Sequence, residues 1–398
     1  MTKLGLNQFD ARDRQVLMRV DFNVPLDKNG CITDDTRIRA ALPTIRHLIS
    51  SGAKIVLMSH LGRPKGKIVP SMSLRPVAEH LAGLVDVPVH FATDTVGEDA
   101  HRKASELQVG EILLLENLRF AAAETENDSE FAAALASFGD SYVNDAFGAA
   151  HRAHASTVGV GAGFEIRCAG LLMEKELLNL GQLMTNPKRP FVAILGGAKI
   201  QGKVDVIEHL LNSVDVLLLG GGMIFNFFKI HGLGVGDSLV DEASLGTVET
   251  IIKKVADSPA ELLLPVDVKI ADEFRDDALV RDVLVTDIPD GWQGLDIGPK
   301  TVTNYEKLIR DAKSVFWNGP LGVFEMPAFA HGTEAIAYAV AETTDRGALS
   351  VIGGGDSVAA INKTGLANRI SHISTGGGAS LEFMAGRNLP GVEALSDA

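Results

Sequence analysis

Residues 194–204 read ILGGAKIQGKV, and Gly197 to Lys203 carry the G-x-x-x-x-G-K spacing of a phosphate-binding loop. That pattern continues with a Ser or Thr hydroxyl for Mg²⁺, and Val204 stands there instead. Lys199 and Lys203 are four apart, so a helix begun at this point would put both on one face. The spacing alone leaves three readings open: a damaged P-loop, an accident of glycine, or a different way of handling a phosphate. Glycine clusters also close apolar runs at 220–222, at Gly353-Gly354-Gly355 and at Gly376-Gly377-Gly378, with Asp356 and Ser357 directly after the second of these three. Bare backbone N–H groups followed by a helix N-terminus make an anion receptor.

The first half supplies side-chain cations instead. RVDFNVP holds Asp21, Phe22 and Asn23, with Asp21 and Asn23 on one face by the period of two. Arg37 and Arg39 follow. HLGRPKGK gives His60, Leu61, Gly62, Arg63, Lys65 and Lys67, ENLRF gives Arg119, and HRAHAS gives His151, Arg152 and His154. One such arginine is ordinarily a solvated surface group. Arginines recurring just after successive apolar runs point to guanidinium forks for phosphate or carboxylate.

Other chemistries lack support. GVGAGF at 159–164 and GLGVGD at 232–237 both miss the last glycine of a dinucleotide fingerprint, and no G-x-S-x-G, HExxH or EF-hand pattern occurs. Cys31 and Cys168 are the only cysteines, which gives neither a disulfide framework nor a zinc site and suggests a reducing, cytoplasmic setting. The first residues contain no apolar signal core, and the longest apolar stretch, 214–228, is broken by Asp215, Asn226 and three glycines, so no membrane association is expected. A net charge of −14 argues against nucleic acid as a partner. Residues 1–185 carry 19 Lys and Arg against 23 Asp and Glu, net −4; the remainder carries 18 against 28, net −10. An anionic ligand would find its basic cluster more readily in the first half.

These groups need elements to hold them. VLMRVDF (16–22), AKIVLMS (53–59), ILLLENL (112–118), FVAILGG (191–197), VDVLLLG (214–220), ELLLPVD (261–267), SVFWNG (314–319) and LSVIGG (349–354) are near-continuous apolar runs. Such runs indicate strands covered on both faces, and the helical patterns between them indicate βαβ units. At the chain's midpoint Met173, Leu177, Leu180 and Met184 recur at helical spacing until Asn186-Pro187. A 398-residue chain has room for two cores, and this helix is the expected connector.

RVDFNVP, HLGRP, LLLENLRF, NDAFGAAHRAHAS, LGGAKIQGKV, NGPLGVFE, GGGDS and STGGGASLE together resemble the phosphoglycerate kinase family over essentially the whole chain. The resemblance implies an α/β fold of two Rossmann-like domains with mostly parallel sheets, joined by a long inter-domain helix and hinge. It implies a 3-phosphoglycerate domain at 1–170 with the tail near 387–398 packed back on it, the helix at 171–186, and a nucleotide domain at 187–386. Reversible phosphoryl transfer between ATP and the carboxylate of 3-phosphoglycerate is the implied reaction, with Mg²⁺ as cofactor and a monomer as the working state. Asp21, Phe22, Asn23, Arg37, His60, Leu61, Gly62, Arg63, Arg119 and Arg152 then match the substrate cradle. Arg37, Lys199 and Gly376–Gly378 match the groups beside the migrating phosphoryl. Lys203, Gly298, Asn318, Glu325, Gly353, Gly354, Gly355, Asp356 and Ser357 match the nucleotide site, with Asp356 on the metal. Departures from the family pattern are Gly202, often Asp, Ser357 for Thr and Asn226 for Thr. Two rivals stand beside this reading. One is a P-loop NTPase, disfavoured by Val204. The other is a non-catalytic nucleotide-binding protein, whose mark would be loss of Arg37, Lys199 or Asp356.

Overall fold

The computed structural model describes residues 3–398. Two compact units emerge, one formed by residues up to Leu178 together with Asn388–Ala398, the other by Asn179–Arg387. In the first unit β1 (Gln15–Arg19), β2 (Lys54–Met58), β3 (Val89–Phe91), β4 (Ile112–Leu114), β5 (Ser141–Asn144) and β6 (Arg167–Ala169) form one parallel sheet. Their order is β3-β4-β2-β1-β5-β6. Val16, Met18, Ile55, Leu57, Ile112, Leu114 and Val143 are fully buried beside Ile38, Ile45 and Leu48 of helix Thr36–Ser50. The apolar runs are strands because helices cover both faces. Arg19 alone breaks the rule, a charged side chain with no exposed surface at the end of a central strand.

The second unit repeats the plan. Strands β7 (Phe191–Leu195), β8 (Val216–Leu219) and β9 (Glu261–Leu263) precede β10 (Asp267–Ala271), β11 (Val280–Leu284) and β12 (Gln293–Ile297). After them come β13 (Ser314–Asn318), β14 (Leu349–Gly353) and β15 (His372–Ile373). A parallel sheet runs β15-β14-β13-β7-β8-β9, while β11-β10-β12 is a separate antiparallel sheet. Here the apolar-run reading meets its limit. ELLLPVD is not one strand but all of β9 and the first residue of β10, parted at Pro265, which cannot donate to a ladder. Strand β11, VRDVL, is largely exposed and has no apolar run to betray it.

The midpoint helix runs Leu171–Thr185 and passes from one unit to the other between Leu178 and Asn179. Its first turn is held by the first unit. Asp145 Oδ1 accepts the N–H groups of Leu172 at 2.9 Å and Met173 at 3.1 Å, and Thr44 Oγ1 accepts that of Leu171 at 2.9 Å. The closing residues belong to the same unit. The Leu4 N–H donates to Ser396 O at 2.8 Å, and Asn144 Nδ2 donates to Gly391 O at 3.2 Å.

Asp145 is buried and its Oδ2 has no partner, so burial pushes its pKa up to about 7. A folded-state value above the unfolded one means that this group's contribution to stability falls as pH rises from about 4 to 7. Asp145→Ala should cost about 1–2 kcal/mol through the lost helix cap, measured by urea unfolding. Asp145→Asn should keep the Oδ1 acceptor and flatten the slope of stability between pH 4 and 7.

Candidate active site

Strands β4, β2, β1 and β5 are neighbours, so the segments after them meet at one edge of the first sheet. This is where parallel α/β sheets place ligands. Arg37 lies in the first turn of helix Thr36–Ser50, and its Nη1 donates to both Asp21 oxygens at 3.2 Å and to Asn23 O at 3.1 Å. Asn23 Oδ1 accepts the Gly62 N–H at 2.8 Å, and the Phe22 N–H donates to Ser59 Oγ at 2.9 Å, joining the loops after β1 and β2. Arg119 Nη1 donates to Gly62 O at 2.8 Å, while its buried Nε has no protein partner. Burial, then repulsion from Arg19 and Arg152, pushes its pKa down to about 10. Arg63 and Arg152 are exposed, and Arg152 is oriented by its Nε contact to His151 at 3.1 Å. Leu61 is buried beneath them.

His60 is buried. Burial first, then the charges of Arg19, Arg119 and Arg37, hold its pKa well below the usual histidine range. It is a neutral ring among guanidiniums.

Sequence reading passed over four residues of this edge. Asn117 is fully buried and makes a hub: its Oδ1 accepts the N–H groups of Leu61 and Arg119, both at 3.1 Å, and its Nδ2 donates to Leu61 O at 2.7 Å and Met72 O at 2.8 Å. Arg19, Glu124 and Ser156 form a buried polar chain against His60. The one sequence signal for them was the arginine inside the apolar run VLMRV.

The second unit offers backbone and space rather than arginines. A cavity of about 670 Å³ lies at the carboxyl edge of its parallel sheet, against the antiparallel one. Its lining includes Gly197, Gly222, Gly294, Leu321, Glu325 and Asp356. Helices Gly355–Thr364 and Gly377–Met384 start at the same edge with their N-termini toward it. Gly354 has φ +95°, and a Cβ on Gly377 would stand 3.0 Å from Gly354 Cα, so these two turns touch as bare backbone. Asn318 Nδ2 is buried beside Gly354 without a hydrogen bond. Ser357 Oγ accepts the Gly319 N–H at 2.5 Å, so its hydroxyl fastens the loop after β13.

One expectation changes, and two further residues gain a structural setting. The helix after β7 begins only at Val204, because Gly197 and Gly202 take left-handed turns at φ +103° and +79°. Lys199 thus stands on an exposed turn and Lys203 at the helix cap, and the shared helical face does not exist. Lys203 is drawn inward, and burial lowers its pKa against the raising effect of Asp356. Gly298 is the cap of helix Pro299–Asp311, where Asp267 crowds it and accepts the N–H groups of Lys300 at 2.9 Å and Thr301 at 2.8 Å. Gly294 and Leu295, not Gly298, line the cavity. Asn226 is structural: its Nδ2 donates to Asp241 O at 2.7 Å and its Oδ1 accepts the Asp241 N–H at 3.2 Å, steadying the loop that carries Leu239 to the cavity.

The family model for phosphoglycerate kinase matches residues 6–387. The chain belongs to the phosphoglycerate kinase family. It is 57% identical over 397 residues to the phosphoglycerate kinase of Synechococcus elongatus, covering 100% of this chain and 99% of the relative. It is 53% identical over 393 residues to the cytosolic phosphoglycerate kinase 3 of Arabidopsis thaliana, covering 99% and 98%. The solved phosphoglycerate kinase of Coxiella burnetii superposes with a TM-score of 0.87 at 40% identity, covering 98% of each chain. The activity is that of the family, a glycolytic kinase moving a phosphoryl group between ATP and 3-phosphoglycerate. Among the described residues no helix is long and apolar enough to cross a membrane.

Asn117→Ala should leave Leu61 and Arg119 donors unpaired in a dry interior. A loss of about 2–4 kcal/mol in urea unfolding is expected from several unmade bonds, with a raised KM for 3-phosphoglycerate in the surviving folded fraction. Wild-type stability would show that the hub is dispensable.

Proposed function

We propose that the first unit holds 3-phosphoglycerate and the second holds Mg-ATP, in a monomeric cytoplasmic enzyme. The observation that carries this is the division of means. Unpaired guanidinium capacity around a neutral His60 lies at one sheet edge, and an apolar cavity beside convergent helix N-termini at the other.

Arg63, Arg119, Arg152 and His60 would take the phosphate and carboxylate oxygens of the acid. Asp21 and Asn23, fixed by Arg37 and Gly62, would orient its hydroxyl end. The attacking group is a carboxylate, already ionised at pH 7, so no general base is required. In the forward step its oxygen attacks the γ-phosphorus as the bond from phosphorus to the ADP oxygen breaks, and the product is an acyl phosphate. Charge spreads over the equatorial oxygens during transfer, and catalysis consists of positioning and stabilising that charge. Arg37, Lys199 and the N–H groups of Gly376, Gly377 and Gly378 would do this, with Lys203 on the nucleotide phosphates.

Asp356 is an exposed carboxylate at the first turn of helix Gly355–Thr364, near Lys203. Among the described residues no group of three or more His, Cys, Asp or Glu could hold a metal ion. One carboxylate suits Mg²⁺ that arrives with phosphate and water ligands, since this ion seldom takes an all-protein cage. Such an ion supplies neutralisation of phosphate charge.

Arg37→Ala and Lys199→Ala should each lower kcat by about 10²-fold or more with smaller effects on KM, measured in a coupled assay with ATP, Mg²⁺ and 3-phosphoglycerate. Arg63→Ala should raise KM for 3-phosphoglycerate alone, and Glu325→Ala KM for ATP alone. Effects of equal size on both substrates would refute separate sites.

A further inference from the structure

The buried polar chain behind His60 has no part in the roles above. Glu124 lies in the short helix Ala122–Thr125 and has no exposed surface. Its Oε1 accepts the Ser156 hydroxyl at 2.6 Å and its Oε2 accepts the Ser156 N–H at 3.0 Å. With that hydroxyl proton committed to a carboxylate, Ser156 Oγ is left as an acceptor, and Arg19 Nε–H donates to it at 2.8 Å. Arg19 Nη1 donates to the Val20 carbonyl, and Nη2 lies 3.0 Å from His60 Nδ1. A guanidinium has no lone pair to offer, so Nδ1 must be the acceptor. The proton of the neutral ring is therefore on Nε2.

We infer that Glu124 is a positioning residue for the phosphoryl-transfer reaction: through Ser156 and Arg19 it fixes His60 as the Nε2–H tautomer, a donor for the anionic substrate. The inference rests on the substrate role proposed above for His60. Either change of proton would harm that role. The other tautomer would turn a lone pair toward an anionic oxygen, and a doubly protonated ring would clash with Arg19. Glu124 is suited to the task because a buried guanidinium needs a counter-charge as well as hydrogen bonds. The charged and titratable groups around His60 are Arg19, Arg37, Arg119 and His154, with Asp21 Oδ1 4.0 Å from Nδ1. His154 Nδ1 stands 3.7 Å from Glu124 Oε1, so both histidines adjoin the one chain.

Nitrogen-15 NMR of the histidine-labelled full chain tests this directly. His60 should show a bare Nδ1 and a protonated Nε2 from pH 6 to 8, without titrating. Glu124→Gln and Ser156→Ala should each populate the Nδ1–H form and raise KM for 3-phosphoglycerate about tenfold, with KM for ATP unchanged. Ser156→Ala keeps both buried charges and carries the test if Glu124→Gln does not fold. A wild-type ring protonated on Nδ1, or a Ser156→Ala enzyme with wild-type tautomer and KM, would overturn the inference. His60→Ala with an unchanged KM would overturn the substrate role of His60, and with it the catalytic use of Glu124, even where the tautomer is as expected.

Discussion

Cationic charge has to be assembled at the end of a parallel sheet, in a chain whose own net charge is −14, and kept there without collapsing onto nearby carboxylates. The first unit meets this with graded partnering. Arg37 is given a carboxylate, Asp21, on one of its nitrogens. Arg119 is given only a carbonyl and keeps a bare Nε. Arg63 and Arg152 stay in solvent. Burial first, and repulsion among these cations after it, depresses the pKa of Arg119 and keeps His60 neutral.

The second unit handles the same kind of charge with almost no arginine at the edge. Its cations there are two lysines on a glycine turn, and the remaining positive potential comes from N–H groups at helix starts. That choice forces glycine. Gly377 packs on the backbone of Gly354, and Gly221 on that of Gly197, so a side chain at Gly377 or Gly221 would part the turns. The cost of aiming bare backbone at a ligand is close packing with nothing to fill it but more backbone. Carboxylates then serve as clamps rather than acids. Asp296 is buried, accepts the Gly332 N–H at 2.7 Å and that of Ile297 at 2.9 Å, and is raised to about 7 by burial. It pins β12 to the helix His331–Asp345 beside the cavity.

These two strategies decide what a sequence discloses. Glycine clusters and arginines after apolar runs are local patterns, so both sheet edges and most of their residues could be read without coordinates. The antiparallel β10–β12 sheet could not. Its edge strand is polar and exposed, and one side of the cavity, with Gln293, Gly294, Leu295 and Asp296, comes with it. Asn117, Glu124 and Ser156 were equally hidden, because a polar residue in a loop shows its burial only through partners far along the chain. Ser156 meets Glu124 across 32 positions and Arg19 across 137. Gly298, matched through its motif, caps helix Pro299–Asp311 against Asp267, a setting that the motif itself does not disclose.

The near-match to a P-loop has the same physical root. A strand followed by Gly196-Gly197 and then by a helix with a lysine at its cap is one answer to a polyphosphate, whatever the ancestry of the loop. In a P-loop the metal ligand is a hydroxyl on that same helix. Here Val204 occupies the first helical position and is half-buried, so its neighbours and not a metal specify it. The carboxylate suited to Mg²⁺, Asp356, sits on the helix after β14, two strands across the sheet from β7. Lys203 and Asp356 thus stand at the starts of different helices, and their separation is set by the sheet rather than by a turn of one helix. Parallel strand spacing is fixed by hydrogen bonding, so the sheet sets the distance between these two helix starts.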